Sequence, residues 1–301
     1  MISRRSMIGM TGAALACVAC GPQNSQTITP LVAKRSIEKV GLQTYTLREA
    51  MAEDFAGTFR MIKDVGYDYV EVNRRNFEDM AANELKALLN DIGLPSPAGH
   101  ISYSDVTDDI SSAIQRAKVM QHDFVIVPYM DENQRSLADW KRHAQIFNQA
   151  GRKFADEGIN LAYHNHQFEF DDLGGGTTAM EILMNETSPE LVSFELDMFW
   201  AALANIDIPA LMQRYPGRFK LCHIKDMSGD HNALIARKAS YDEITSSIMV
   251  DVGKGNLPFE EYFAYNDIAG MEYFIAEHDK PKKPFRTAIE NSLNGVKALS
   301  F

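Results

Sequence analysis

The chain has 301 residues, 45% of them hydrophobic and 24% charged, which is enough to bury a full core as one large α/β barrel or two ordinary domains. Its formal net charge of −11, with no basic run to offset it, argues against a nucleic-acid or anionic-membrane partner, since such binding rests on Lys/Arg contacts that release counterions.

Residues 1–26 read as an export signal and stand outside the fold. Arg4 and Arg5 precede an apolar run from Met7 to Ala19, which is followed by Cys20 and the polar GPQNSQ. The run is too short for a transmembrane helix, which needs ~20 apolar residues. The paired arginines in SRRSMIG resemble the twin-arginine (Tat) motif, the alternative being an apolar N-terminus with no signal role. Val18-Ala19-Cys20 resembles a lipoprotein box, although Cys17 stands where such boxes prefer Leu, so Cys20 is a candidate lipid anchor. The expected location is outside the cytoplasm, periplasmic or membrane-anchored. Removing residues 1–26, which carry two Arg and no acid, takes the charge from −11 to −13 and leaves Cys222 as the remaining thiol. With no internal disulfide available, the exported chain relies on its core. Residues 27–37 read as a linker.

From residue 38 onward the chain alternates strand and helix. Short β-rich runs occur at 40–45 (VGLQTY), 67–72 (YDYVEV), 94–100 (LPSPAGH), 123–129 (DFVIVPY), 159–165 (INLAYHN), 191–197 (LVSFELD), 219–225 (FKLCHIK) and 271–277 (MEYFIAE). Between them lie amphipathic patterns such as FAGTFRMIKDVG, NELKALLNDIG, ISSAIQRAKVM and HAQIFNQAGRKFADEG, several closing on a Gly suited to a helix C-terminus. Strand starts are 27 to 36 residues apart, apart from an interval of 52 before the last. This predicts a single (βα)8 TIM barrel over residues 38–301, with a long insertion at about 227–256 before strand eight. A doubly wound open sheet fits less well, because the first βα turn, TYTLREAM, has no glycine-rich phosphate loop.

Active sites of such barrels lie at the C-terminal strand ends. His100, His164, His166, His223 and His278 all fall there, leaving only His122, His143 and His231 elsewhere. Period-two alternation places His164 with His166, Glu195 with Asp197, His223 with Lys225, and Glu277 with Asp279 on common faces. A lone histidine is most simply a satisfied core residue. A barrel core has no reason to bury this whole set unless its members pair with one another or bind a metal.

YHNHQFEF, FELDMFW, PGRFKLCHIKD, VGKGNLPFEEYF and EYFIAEHD, in this order, resemble the sugar phosphate isomerase/epimerase family, the xylose isomerase-like TIM barrels, over roughly residues 38–299. In hexulose 3-epimerases of that superfamily one divalent metal is held by a Glu, an Asp, a His and a Glu from strands five to eight. The resemblance implies Asp197, His223 and Glu277 as ligands. His164 occupies the strand-five Glu position, with His166 or Glu169 as substitutes if the register slips. The departure leaves Glu277 without the opposed glutamate of the symmetric epimerase device.

A mixed His/carboxylate site suits Mn²⁺, Zn²⁺, Co²⁺ or Mg²⁺, which can grip a carbonyl and its neighbouring hydroxyl. The expected step is abstraction of the proton α to that carbonyl. His166 is the candidate base, Lys225 the acid or oxyanion partner unless it merely pairs with Asp226 or Asp251, and Glu169 the group that orients the base. Trp200 either stacks on a sugar face or is plain core, and Tyr45, Asn73 and His100 are candidates for binding hydroxyls. Gly174–Gly176 is either part of a lid or a turn. Export favours an unphosphorylated keto-sugar or a 3-keto-glycoside over a sugar phosphate. The outcome is then isomerisation, epimerisation, or lyase chemistry downstream of a sugar oxidoreductase that installs the ketone. A sugar-binding barrel without turnover is the alternative; an endonuclease-type barrel would need more ligands and a basic groove.

Overall fold

The computed structural model describes residues 34–301, and the expected signal peptide, the Cys20 anchor and most of the linker lie outside those residues. Eight parallel strands close into a barrel: β1 (Gly41–Gln43), β2 (Tyr69–Val72), β3 (Ala98–His100), β4 (Phe124–Val127), β5 (Asn160–His164), β6 (Val192–Asp197), β7 (Phe219–Ile224) and β10 (Tyr273–Ala276), in the spatial order β1-β10-β7-β6-β5-β4-β3-β2. Each falls inside one of the eight expected runs. The fold is the TIM barrel read from the strand–helix repeat.

The helices form where local chemistry starts and stops them. Helix Phe55–Val65 opens on Asp54, whose carboxylate accepts the Gly57 N–H, and stops at Gly66, whose φ of +106° is costly for any other residue. Helix Leu137–Ala155 opens with a capping box between Ser136 and Asp139. Arg35 and Phe301 exchange backbone hydrogen bonds at 2.7 and 3.0 Å, and Ile37 is buried, so residues 35–37 pack against the barrel.

Residues 225–272, between β7 and β10, contain an antiparallel ribbon of β8 (Asp226–Met227) and β9 (Met249–Val250) and four short helices, among them Tyr241–Ser247. The Asp226 carboxylate gathers this segment by accepting N–H groups from Met227, Gly253, Gly255 and Leu257 at 2.8 to 3.2 Å. The HIKD and VGKGN motifs therefore meet in space, and a Cβ at Gly255 would strike that carboxylate.

Alternation sorts the barrel interior into layers. Tyr69, Ala98, Phe124, Ile126, Ala162, Leu221 and Ile275 form a dry apolar layer low in the barrel. Two residues further along their strands stand Glu71, His100, His164, His223 and Glu277, all buried, and β6 contributes Glu195 and Asp197. An irregularity between Phe194 and Glu195 resets the β6–β7 register so that Asp197 lies opposite His223, while His164 lies opposite Glu195.

Candidate active site

Above the apolar layer lies a cavity of about 550 Å³, walled by His164, His166, Lys225, Glu277 and Asp279 on one side and by Tyr45, Asn73, Arg75, His100 and Tyr129 on the other. Asp197, His223 and Glu277 each offer an oxygen or nitrogen within 4.8 Å of one another. Asp197 divides its labour. Its Oδ1 accepts the Trp200 N–H at 2.9 Å and caps helix Met198–Leu203, while Oδ2 is buried without a hydrogen-bond partner. His164 Nε2 lies 3.6 Å from that free oxygen. His223 Nδ1 lies 2.7 Å from Glu277 Oε2 and 3.9 Å from Asp197 Oδ2, yet it too has no aligned hydrogen bond. Of the four ligands implied by the family resemblance, Asp197, His223 and Glu277 thus form one close set, and His164 reaches it through Asp197 Oδ2.

The opposite nitrogen of each of these two imidazoles is held by a buried carboxylate that sequence reasoning did not assign. His164 Nδ1 donates to Glu195 Oε2 at 3.0 Å, and His223 Nε2 donates to Glu71 Oε1 at 2.8 Å. Histidines that bind metals are characteristically fixed in this way, with a carboxylate on the nitrogen facing away from the ion. Gln43 also donates to Glu71, and His100 Nε2 bridges Glu71 at 2.9 Å and Glu195 at 3.3 Å. His100, His164, Glu195 and His223 form a second close set, but its nitrogens are taken up by these carboxylates, so it acts as the support beneath the first set.

Charge follows from the packing. Burial opposes the positive charge on His100, but Glu71 and Glu195 outweigh it and push its pKa up to about 9. Burial likewise opposes charge on His223, where Glu195, Glu277 and Glu71 together raise it well above the ordinary value. At Glu277 burial favours the neutral acid, yet Lys225 and His223 pull the carboxyl well below its usual range. Asp197 is pushed up to about 6 by burial. His164 and His166 are held well below the ordinary imidazole value, first by burial and then by the neighbouring cations, so both are neutral.

His166 is half-buried at the cavity wall, stacked on Phe168 at 5.5 Å and edge-on to Tyr129 at 5.4 Å. Its Nδ1 has no hydrogen-bond partner. Glu169 positions it through the main chain: Oε2 accepts the His166 backbone N–H at 2.7 Å while Oε1 accepts the Tyr163 hydroxyl at 2.5 Å. Burial raises the Glu169 pKa to about 7.

Three readings that the sequence left open are placed by the structure. Trp200 is fully buried behind His166, with ring centres 5.3 Å apart, and stacks on Tyr241 at 5.6 Å, so it supports the wall and has no face for a sugar. Tyr241, carried in by the 225–272 segment, and Tyr129 are the exposed aromatic rings at the cavity, and neither was expected there. Lys225 pairs with Asp197, Glu277 and Asp279, not with Asp226 or Asp251. Gly174–Gly176 is a turn bound to the Asp172 carboxylate and does not line the cavity. Tyr45, Asn73 and His100 do line it. Arg75, a further wall residue, was missed, as an exposed arginine carries no distinguishing sequence signal.

The comparisons agree with this architecture. Residues 59–295 match the model of the xylose isomerase-like TIM barrel family, and the chain belongs to that family. An inosose dehydratase from Geobacillus thermodenitrificans is 26% identical over 161 residues, 50% of this chain and 52% of that protein, so this chain spans about half the length of the curated relatives it matches. A sugar phosphate isomerase/epimerase from Parabacteroides distasonis superposes with a TM-score of 0.71 at 23% identity, covering 92% of this chain and 98% of its own. A 3-keto-D-glucoside 4-epimerase from E. coli superposes with a TM-score of 0.62 at 15% identity, covering 86% and 98%. These two structures share the fold.

Proposed function

We propose that the chain is a divalent-metal-dependent enzyme that removes the proton α to the carbonyl of a keto-sugar or 3-keto-glycoside. The observation that carries this reading is the convergence of Asp197, His223 and Glu277, with His164 Nε2 3.6 Å from Asp197 Oδ2, beside a neutral His166 whose Nδ1 has no hydrogen-bond partner. His164, Asp197, His223 and Glu277 would hold Mn²⁺, Zn²⁺, Co²⁺ or Mg²⁺, a mixed set that suits these ions. When bound, such an ion polarises the carbonyl and makes the neighbouring C–H acidic. His166 accepts the proton, kept neutral by its apolar cage. Lys225 faces the cavity as the donor to a developing oxyanion, and Tyr45, Asn73 and His100 meet hydroxyls. Among the described residues Glu277 is the glutamate that lines the cavity, while Glu71, Glu169 and Glu195 are buried outside its lining. That asymmetry favours elimination or one-sided proton transfer over the two-glutamate epimerase device. Dehydration next to a carbonyl starts with the same proton, in keeping with the name of the Geobacillus relative. Export through Arg4/Arg5, with or without lipidation at Cys20, would place the enzyme in the periplasm, downstream of an oxidoreductase that installs the ketone.

The test is solvent deuterium exchange on a panel of free sugars and 3-keto-glycosides, with and without Mn²⁺. Deuterium should enter α to the carbonyl in the wild type, and His166→Asn should keep the metal and slow exchange by roughly 10²- to 10⁴-fold. Equal exchange in the variant removes His166 as the base. Tight sugar binding with neither metal nor exchange would instead favour the sugar-binding barrel.

A further inference from the structure

Lys225 sits on the very oxygens an ion would need. Its Nζ lies 3.1 Å from Asp197 Oδ2 and 2.6 Å from Glu277 Oε2, the two oxygens that face His223 Nδ1. An ammonium and a divalent cation cannot share them, because like charges a few ångströms apart in a buried site repel by many times thermal energy. The third contact is with Asp279, a carboxylate outside the proposed ligand set. Nζ donates a hydrogen bond to Asp279 Oδ1 at 2.9 Å, whereas Asp197 Oδ2 has no aligned hydrogen bond. Asp279 is itself fixed by elements outside the ligand set: its Oδ2 accepts the Tyr241 hydroxyl at 2.9 Å, and its backbone N–H rests on Met249 Sδ at 3.1 Å.

We propose that Lys225 is an internal stand-in for the metal. In the metal-free chain its ammonium neutralises Asp197 and Glu277; when an ion enters, it withdraws onto Asp279, which Tyr241 and Met249 hold in place as its perch. The ligand carboxylates then never face one another uncompensated, and the barrel keeps its shape while empty. The same arrangement weakens ion binding, since each entering ion must displace a resident cation. The inference rests on the metal reading above and assigns to Asp279 a positioning role exerted through Lys225.

The test is competition titration of metal-free protein against a chromogenic chelator, with Mn²⁺ and with Zn²⁺. Lys225→Met should bind the ion about tenfold or more tightly, in the range of direct coupling between neighbours. Lys225→Arg, which keeps the charge, should remain close to wild type. Asp279→Asn removes the perch and should weaken binding by about 10- to 100-fold, as loss of a supporting carboxylate typically does. That loss should disappear in the Lys225→Met/Asp279→Asn double variant. Lys225→Met leaves buried carboxylates without their cation, so it should also melt lower than wild type in chelator and recover in saturating Mn²⁺. If it does not fold at all, Asp279→Asn decides alone, and unchanged affinity there overturns the proposal. Weaker binding in Lys225→Met, or an Asp279→Asn loss that persists without Lys225, also overturns it while the metal reading stands. Failure of every chain, wild type included, to bind an ion brings down both.

Discussion

Glu71 is the sharpest place to perturb the site without touching a proposed ligand. Its Oε1 accepts from His223 Nε2 at 2.8 Å, and this bond leaves Nδ1 as the nitrogen that faces Glu277 and Asp197. Glu71→Gln keeps the shape and an acceptor oxygen but removes the charge. A hydrogen bond to a charged group contributes about 1.5–3 kcal/mol, against about 0.5–1.5 kcal/mol for a neutral one, so the imidazole loses about 1–1.5 kcal/mol of orientation and basicity. At about 1.4 kcal/mol per factor of ten, metal affinity should fall roughly tenfold, the lower end of what supporting carboxylates contribute. The measurement is a chelator competition on metal-free wild type and variant, after circular dichroism shows that both are folded. Affinity unchanged within about twofold would mean that no ion is held through His223 Nδ1, and the ligand set would have to be abandoned.

Other outcomes follow from the same structure. Asp197→Ala should abolish stoichiometric metal and activity together, and metal content by elemental analysis checks it; retention of about one ion per chain would count against the set. His122, buried at 6% exposure, has its pKa lowered by burial from the ordinary 6.5 to about 3, so it stays neutral in the fold and is protonated first in the unfolded chain. Its stabilising contribution is complete above about pH 6.5 and is lost as pH falls toward 3, by about 2 kcal/mol at pH 5. Urea unfolding of His122→Gln should therefore lose less stability than wild type between about pH 7 and about pH 5. Arg4→Lys with Arg5→Lys should leave the protein in the cytoplasm, read by cell fractionation; unchanged export would show that the paired arginines carry no signal.

The barrel was legible because each strand is a short apolar run at a regular interval, and the top of the site because His164, Asp197, His223 and Glu277 stand where such runs end. The supporting layer was not. Glu71 is a single carboxylate in the apolar run YVEV, and it reaches His223 across 152 residues only once the barrel has closed. Glu195 shares a face with Asp197, but its role beneath His164 depends on the β5–β6 register. Trp200 misled for a local reason: Asp197 caps the helix that begins immediately after β6, which turns the indole behind the wall instead of into the mouth. Tyr241 lay in a segment with no strand–helix period to place it.

Burial costs explain why the two layers occur together. An ionisable group taken out of water must be paired or it shifts to its neutral form. His100 pairs with Glu71 and Glu195, and Lys225 pairs with Asp197, Glu277 and Asp279, so each of these five buried carboxylates has a cationic partner. Pairing that complete would serve stability best if every atom took part. Asp197 Oδ2 and His223 Nδ1 make no aligned hydrogen bond and are held by ion-pair contacts alone, to Lys225 at 3.1 Å and to Glu277 at 2.7 Å. The two atoms face the same point, 3.9 Å apart, with Glu277 Oε2 2.7 Å from the nitrogen. The proposed cation site thus stands above a layer of carboxylates that fix the opposite ring nitrogens of His164 and His223, and the His166 ring, 5.1 Å from that of His164, lines the cavity beside it.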